Sequence, residues 1–343
     1  MKISFVATVL NEEKTIEKFL QSVFSQSRLP DEIVIVDGGS LDSTLLRIFN
    51  FQFSRFAARR ARFDSSSARR AIFNKNPKSK KIKFRPLTKT GLTIAQGRNY
   101  GIRKATFDII AMSDAGCVLH KDWLQKITEP FFKENVDIVA GFYRMRGSQP
   151  FQKALAVYLG IPPQRFDSKL FLPSARSIAF KKSLWEKIGG FDEALDRAGE
   201  DTLFNYRAIK LNARFERVKD ALVDWEVPKN LWGAALKFYY YAKGDVQAGI
   251  WWHPLQKTST HNLKIIGVFI RYTVGLVLFF FSFQNEVIRN FLPGIVLIYL
   301  IWPIWKMRDL VTDFKARLLL PIAQIVSDIA VLFGTGLGIL RKL

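Results

Sequence analysis

A chain of 343 residues holds one large domain or two modest ones. Its 52 Lys and Arg against 30 Asp and Glu give a formal net charge of +22, which suits acidic lipid, phosphorylated substrate or nucleic acid and disfavours cationic partners. The single cysteine, Cys117, excludes an intrachain disulfide.

The first residues, MKISFVATVLNEE, lack an apolar core of signal-peptide length followed by a cleavage site, so the amino-terminal part is expected in the cytoplasm. Ile3 to Val9 is a short apolar run that reads as a buried strand. Asn11 is expected to cap the helix after it, with Glu12 and Glu13 near the positive end, and Ile16, Phe19, Leu20 and Val23 recur at helical spacing. Glu32 to Asp37 reads as a second strand. It ends in Gly38-Gly39-Ser40, and another helix begins beyond, with Ser40 as its expected cap. Ile82 to Leu87 reads as a third strand, Ile94 to Ala105 as a helix, and Asp108 to Ser113 as a fourth strand. Strand alternating with helix at this pace predicts an α/β fold with a mainly parallel sheet covered on both faces.

The segment from Phe51 to Lys81 breaks the rhythm. Between Arg55 and Lys89, thirteen Lys and Arg stand against one acid, Asp64. The region 51–89 reads as a basic insertion that is either solvated or laid on anionic headgroups, where Phe49, Phe51, Phe53, Phe56 and Phe63 would suit an interfacial helix. Nucleic-acid binding is the weakest reading, because nothing else here resembles a nucleic-acid module.

From about Lys264 onward Leu, Ile, Val and Phe dominate, and three segments are candidate membrane helices: Ile265 to Phe283, Phe291 to Trp305 and Leu318 to Leu340. Arg271 is expected to snorkel, and Trp302 and Trp305 suit an interface. Asp328 in mid-segment is costly in lipid and is expected to face another helix or a polar cavity. The basic loop from Lys306 to Arg317 is expected inside the cell and the near-neutral loop from Gln284 to Asn290 outside. That assignment puts Arg341 and Lys342 outside if the third segment crosses, which leaves an interfacial or re-entrant third helix open. A soluble all-α end domain is the alternative to any membrane role.

Ligands of a parallel sheet bind beyond the carboxyl ends of its strands. There, Asp37 would accept hydrogen bonds from a base or ribose, and Gly38 and Gly39 would permit close backbone approach; an ordinary turn is the alternative reading of this Asp-Gly-Gly-Ser run. Asp114, after the buried run Ile109 to Met112, is a functional candidate or a turn acid. Arg98 and Asn99 fall in mid-helix, where a purely structural reading puts them on the surface. Glu200-Asp201 opens a helix expected over Thr202 to Leu211, where two acids serve either chemistry or the helix dipole.

Taken in order, VATVLNEEKTI, DEIVIVDGGSLDST, GRNYGIRKATFDIIAMSDAG and GGFDEALDRAGEDTLFNYRA resemble a family 2 glycosyltransferase of the GT-A fold, over roughly Met1 to Trp225. The resemblance implies a Rossmann-like nucleotide-sugar domain over 1–228, followed by an interfacial helical linker over 229–262 and membrane-associated helices over 263–343. It assigns Thr8, Asn11, Glu12, Asp37, Gly39 and Arg98 to donor binding. Asp114 matches the first acid of the family's metal-binding Asp-x-Asp motif, and Gly116 replaces the second, so a divalent cation such as Mg or Mn is expected with one protein acid to hold it. Asp201, with Glu200 in support, takes the place of the general base. His120 and Asp122 are near in sequence and would either help hold the cation or cap a helix. In the position of the family's aromatic-basic motif stands Val223 to Pro228, followed by a helix with Tyr239, Tyr240, Tyr241, Lys243, Gly244 and Asp245. That helix reads as interfacial, with Trp251 and Trp252 at headgroup depth, or alternatively as part of an acceptor site.

The expected activity is inverting transfer of a sugar from a nucleotide donor, UDP by family frequency, to a lipid-linked or glycan acceptor at the cell membrane. The expected context is cell-envelope glycan or glycolipid synthesis, with a multi-pass anchor and no nucleic-acid partner. Transfer directly onto polyprenyl phosphate is the alternative within enzymes. A non-catalytic membrane scaffold that keeps the fold is the alternative outside them, favoured only by Gly116.

Overall fold

The computed structural model describes residues 1–53, 82–133, 135–195, 197–255 and 261–341. The basic-arm reading of 51–89 therefore falls, for 54–81, outside the described residues. The chain folds as two compact units that interleave in sequence: 1–143 with 173–193 and 211–224, and 144–172 with 194–210 and 225–343.

The strands are β1 (Ile3–Val9), β2 (Glu32–Asp37), β3 (Lys83–Thr88), β4 (Ile109–Met112), β5 (Cys117–Leu119), β6 (Ile138–Arg146), β7 (Ile178–Lys181) and β8 (Phe215–Glu226). Among the described residues they form one sheet in the order β3-β2-β1-β4-β7-β6-β8-β5. β3, β2, β1 and β4 run parallel, whereas β7 runs antiparallel to both β4 and β6. The sheet is thus mixed, with the expected parallel part at its amino-terminal half.

Continuous apolar runs in β1, β2 and β4 follow from cover on both faces. On one face Phe5 meets Phe19 of α1 (Ile16–Phe24) and, edge-on, Trp123 of α4 (Trp123–Thr128). A helix over 44–53, α2, follows β2. On the other face lies α3 (Ile94–Lys104), whose Thr93 and Gln96 form a capping box. The helix approaches closely because its contact points are glycines. A Cβ at Gly97 would stand 2.9 Å from Thr8 Cγ2, and one at Gly101 would stand 2.7 Å from Val6 Cγ1.

At the amino ends of the strands a buried carboxylate ties the parallel region together. Glu32 accepts the Ser4 hydroxyl at 2.8 Å, the Thr106 amide at 2.7 Å and its hydroxyl at 2.9 Å, and pairs with Arg85 at 3.0 Å. Burial alone would raise this carboxyl's pKa, but the donors from Thr106, Ser4 and Arg85 outweigh it and hold the group below its ordinary value.

The second unit is helical. It contains α5 (Pro150–Leu159), α7 (Glu200–Lys210), α8 (Leu231–Gln247), α9 (His261–Phe281), α10 (Glu286–Lys306), α11 (Phe314–Leu318) and α12 (Leu320–Leu340), while α6 (Lys182–Ile188) belongs to the first. Ala154 of α5, Met307, Val311, Ala316, Leu320 and Ala323 form one apolar cluster. Leu263–Phe281, Glu286–Lys306 and Leu320–Leu340 are long and apolar enough to cross a membrane. Their positions are the expected ones, with α10 starting earlier, at Glu286, because Asn285 caps it on the Ile288 amide. Asp328 faces Arg271 of α9, so that arginine is paired rather than extended toward an interface.

The long contact between α8 and α12 also depends on glycine. A Cβ at Gly334 would stand 2.4 Å from the Tyr239 carbonyl oxygen, a backbone atom that cannot step aside, whereas one at Gly336 would meet nothing within 4 Å. Gly334→Val should therefore destabilise the helical unit by at least ~2 kcal/mol and Gly336→Val should be near neutral, read as thermal melting of the detergent-solubilised chain. Equal melting of the two variants would contradict this packing. For Glu32, whose folded pKa is depressed, the stability it contributes is complete above the unfolded value of about 4.3 and is lost as pH falls through the folded value. The denaturation free energy of wild type should fall toward that of Glu32→Gln below that pH, and a gap that stays constant would remove the ionised carboxylate from this role.

Candidate active site

The parallel registers bring the carboxyl ends together in the first unit. Val9 stands opposite Asp37, Asp37 opposite Thr88, and Val6 opposite Met112, so the β1 and β2 loops and Ser113-Asp114 share one edge. The two loops are knitted by reciprocal bonds. The Asn11 amide donates to Ser40 Oγ at 2.8 Å and the Leu41 amide to Asn11 Oδ1 at 2.9 Å. The Glu12 amide donates to Thr44 Oγ1 at 2.7 Å.

Asn11 holds this bridge with a left-handed backbone, φ 55°, and is not a helix cap: α1 starts later, at Ile16, behind Thr15. Ser40 likewise serves the turn and the bridge rather than a helix terminus. Asp37 is buried, and its carboxylate accepts the Gly39 and Ser40 amides, each at 2.9 Å, and the Ser40 hydroxyl at 2.6 Å. Its oxygens shape the turn after β2. Gly39 has φ +104°, and a Cβ there would meet Thr90 at 3.1 Å, so both the turn and the close approach of the neighbouring chain call for glycine.

Arg98 and Asn99 are not surface residues; both are buried. Arg98, 2% exposed, donates from Nη2 to Asp114 Oδ1 at 2.8 Å, and its guanidinium lies over the Phe191 ring. Asp114 keeps 29% of its side chain exposed at the edge. Asn99 turns the other way. Its Oδ1 accepts Trp185 Nε1 at 3.1 Å and the Phe191 amide at 2.9 Å, and its Nδ2 donates to the Phe191 carbonyl and Glu193 Oε1, each at 2.8 Å.

Behind Asp114 the Cys117 thiol is driven up in pKa, by burial first and by the Asp114 charge second, which makes it unreactive. The charges of Arg176 and Glu12 also act on that thiol, which places both near the Asp114 turn. Arg176, whose guanidinium lies over the Tyr143 ring at 5.2 Å, is a candidate site residue that the sequence reading missed. The one signal for it was an arginine in the Ser174-to-Ser177 turn just before β7.

His120 Nε2 is 3.3 Å from Asp224 Oδ2, and Asp122 stands at the start of α4. Among the described residues no group of three His, Cys, Asp or Glu is placed to hold a metal. What fits a divalent cation is the smallest protein contribution such a site uses: one carboxylate, Asp114, partly open, with substrate phosphates and water left to supply the other oxygens.

In the second unit Glu200 and Asp201 form the first turn of α7, one residue pair earlier than the sequence spacing suggests. Glu200 is buried, and Asp201, half-buried, accepts the Thr202 amide at 2.8 Å. Gly199, φ +91°, lets this turn press on α8, where a Cβ would stand 2.8 Å from the Gly244 carbonyl oxygen. Tyr206, farther along α7, is raised to about 12 by burial and by the Asp245 charge.

The glycosyl transferase family 2 profile matches residues 4–189. The chain belongs to glycosyl transferase family 2. This glycosyltransferase is similar in fold to the mannosyltransferase PcManGT of Pyrobaculum calidifontis, solved with GDP-Man and Mn2+. The TM-score is 0.61 at 16% identity, over 97% of this chain and 87% of that one. A residue 1–349 form of S. aureus TarS in complex with UDP aligns with a TM-score of 0.47 at 17% identity, over 98% and 90% of the two chains. No curated protein sequence matches the chain.

The Asn99 bracket is architectural, and its removal separates it from the neighbouring Arg98. Asn99→Ala would leave the Trp185 and Phe191 groups unpaired in a buried setting, at a cost of about 3 kcal/mol. The expected result is a melting temperature several degrees lower with nucleotide affinity, in the protein that remains folded, within twofold of wild type. A large loss of affinity at unchanged melting temperature would place Asn99 in the donor site instead.

Proposed function

We propose that this glycosyltransferase moves a sugar from a nucleoside-diphosphate donor to a lipid-linked or membrane-adjacent acceptor, with inversion at the sugar carbon, in cell-envelope glycan or glycolipid synthesis. The observation that carries the reading is the presence, in one chain, of the family's fold and three helices of membrane-spanning length and hydropathy. Nothing in the β1–β2 edge distinguishes one base from another, so UDP-, GDP- and dTDP-sugars all enter the test, UDP being favoured by family frequency. The proposed placement is a multi-pass anchor with the catalytic fold on the cytoplasmic side, supported by the basic loop between Lys306 and Arg317.

In this reading Asp201 accepts the proton of the acceptor hydroxyl as that oxygen bonds to the anomeric carbon, and the nucleoside diphosphate leaves with the electron pair of the broken bond. The assignment is supported by the family pattern Gly199-Glu200-Asp201 and by the fixed first turn of α7. Thr8, Asn11, Glu12, Asp37, Gly39, Arg98 and Asp114 serve the donor. Asn11, Asp37 and Gly39 do so by shaping the two loops, and Arg98 by holding Asp114 and offsetting its charge. Asp114 and the donor's own diphosphate would hold Mg2+ or Mn2+, which when bound supplies positive charge against the leaving group.

The test is turnover of a donor panel by the full chain in detergent with a bacterial lipid extract, each donor with Mg2+, with Mn2+ and with EDTA. Asp201→Asn should lower transfer by about 100-fold or more while nucleotide binding stays within twofold. Asp114→Asn should weaken the donor and lose the response to added metal. Transfer by Asp201→Asn within threefold of wild type would assign the base elsewhere. Full activity in EDTA would leave charge neutralisation to the arginines alone.

A further inference from the structure

The three apolar helices carry polar side chains at a common level. Arg271 lies roughly two turns from the start of the α9 span, Asp328 roughly two turns into α12, and Tyr299 roughly two turns before the end of α10, each ~10–12 Å from its helix terminus. They meet. Arg271 Nη2 is 2.5 Å from Asp328 Oδ2, and the Tyr299 hydroxyl donates to the same oxygen at 3.0 Å. The acid costly to bury in lipid is thereby matched by one guanidinium, and this level is neutral.

Toward the helix termini the balance is lost. Lys306 ends α10, Lys264 stands at the start of the α9 span, and Arg165 lies in the short turn after α5. Arg165, Lys264 and Arg271 are all close enough to act on the Lys306 charge, and Asp328, which also acts on it, is already held by Arg271. Among the described residues Lys264, Lys306 and Arg165 form no ion pair. Three cations from three separate segments, gathered at one end of apolar helices, repel one another until an anion joins them. Trp302 and Trp305, 48% and 55% exposed on the same end of α10, with Arg308 over the Trp305 ring, mark the depth of headgroups.

We propose that Arg165, Lys264 and Lys306 form a binding site for the phosphate headgroup of a membrane lipid, whose acyl chains lie along the exposed apolar faces of α9 and α10. The proposal rests on the membrane reading of the three helices but on no assignment of donor, base or acceptor. The charge count favours a phosphomonoester, whose second negative charge a phosphodiester lacks. A soluble phosphate would gain the charge interaction but leave those apolar faces uncovered.

The experiment is native mass spectrometry of the full chain released from phosphatidylcholine nanodiscs containing dioleoyl phosphatidic acid, counting retained lipid, with inorganic phosphate as competitor. Wild type should retain phosphatidic acid in preference to phosphatidylcholine, and millimolar phosphate should not displace it. Lys306→Gln and Arg165→Gln should each weaken retention roughly fivefold, and their combination more. Lys306→Arg should restore it, and Lys210→Gln, on the exposed face of α7, should change nothing. No preference for phosphatidic acid, or an equal loss in Lys210→Gln, would overturn the site. Complete displacement by inorganic phosphate would overturn the lipid as its ligand. Failure to enter nanodiscs at all would instead strike the membrane reading, and the two failures are thus distinct.

Discussion

The close seat of α3 on the parallel strands is the constraint from which the edge at their carboxyl ends follows. Gly97 over Thr8 and Gly101 over Val6 bring the helix backbone to a separation that no side chain would allow. At that separation Arg98 reaches Asp114 beyond β4, and Asn99 reaches the turn that follows α6. Residues one apart on a helix point about 100° from each other, so one short segment secures two neighbouring pieces of the fold in different directions. Moved outward by the width of a methyl group, α3 would lose both. Arg98 thus reaches Asp114 at the strand-end edge, and Asn99 holds the wall behind it.

The acids of the first unit divide along the same strands. Glu32, at the amino end, has every oxygen committed to Ser4, Thr106 and Arg85, and so serves cohesion. Asp37, at the carboxyl end, is equally committed, to its own turn. Asp114, at the same edge, combines a geometry held by Arg98 with a side chain 29% exposed, and this combination is what makes it a candidate for chemistry. The fixed cation beside it also bears on the missing second acid at Gly116. With one carboxylate and one guanidinium in contact the turn is close to neutral, and a diphosphate can approach without first meeting two negative charges.

What was legible in the sequence follows from range. The strands of the parallel region, α3, the three apolar helices and the partner demanded by Asp328 all rest on local periodicity or on one unfavourable residue, and each stands within a few residues of its expected place. What depended on contacts distant in sequence was not legible. Asn11 looked like a cap because its neighbours are acids at a helix start, yet its left-handed backbone is set by Ser40 and Leu41, thirty residues away. Arg98 and Asn99 looked like surface residues because both are polar in mid-helix; the glycines four apart that draw this face inward were the overlooked signal. The antiparallel β7 could not be anticipated from a strand-helix rhythm that ends before it. Arg165, Lys264 and Lys306 lie in three segments with no common motif, and only the fold brings them together.

The three helices long and apolar enough to cross a membrane differ in what they contact. The spans of α9 and α10 bury only 6% of their apolar windows within the protein, whereas that of α12 buries 39%. In a bilayer, whose tails are as apolar as leucine, burial of α12 against protein would bring no hydrophobic gain, and its contact would rest on close packing of small residues. Gly334 and Gly338 supply this against α8, and Ala323 with Leu320 does so against the cluster built by α5 and α11. The helix that carries Asp328 is therefore the one fixed to the rest of its unit. Asp328 in turn fixes Arg271, and through it α9, to α12. A polar pair that would be a liability on a free apolar helix becomes, on this one, the link that ties otherwise exposed helices to a single packed element.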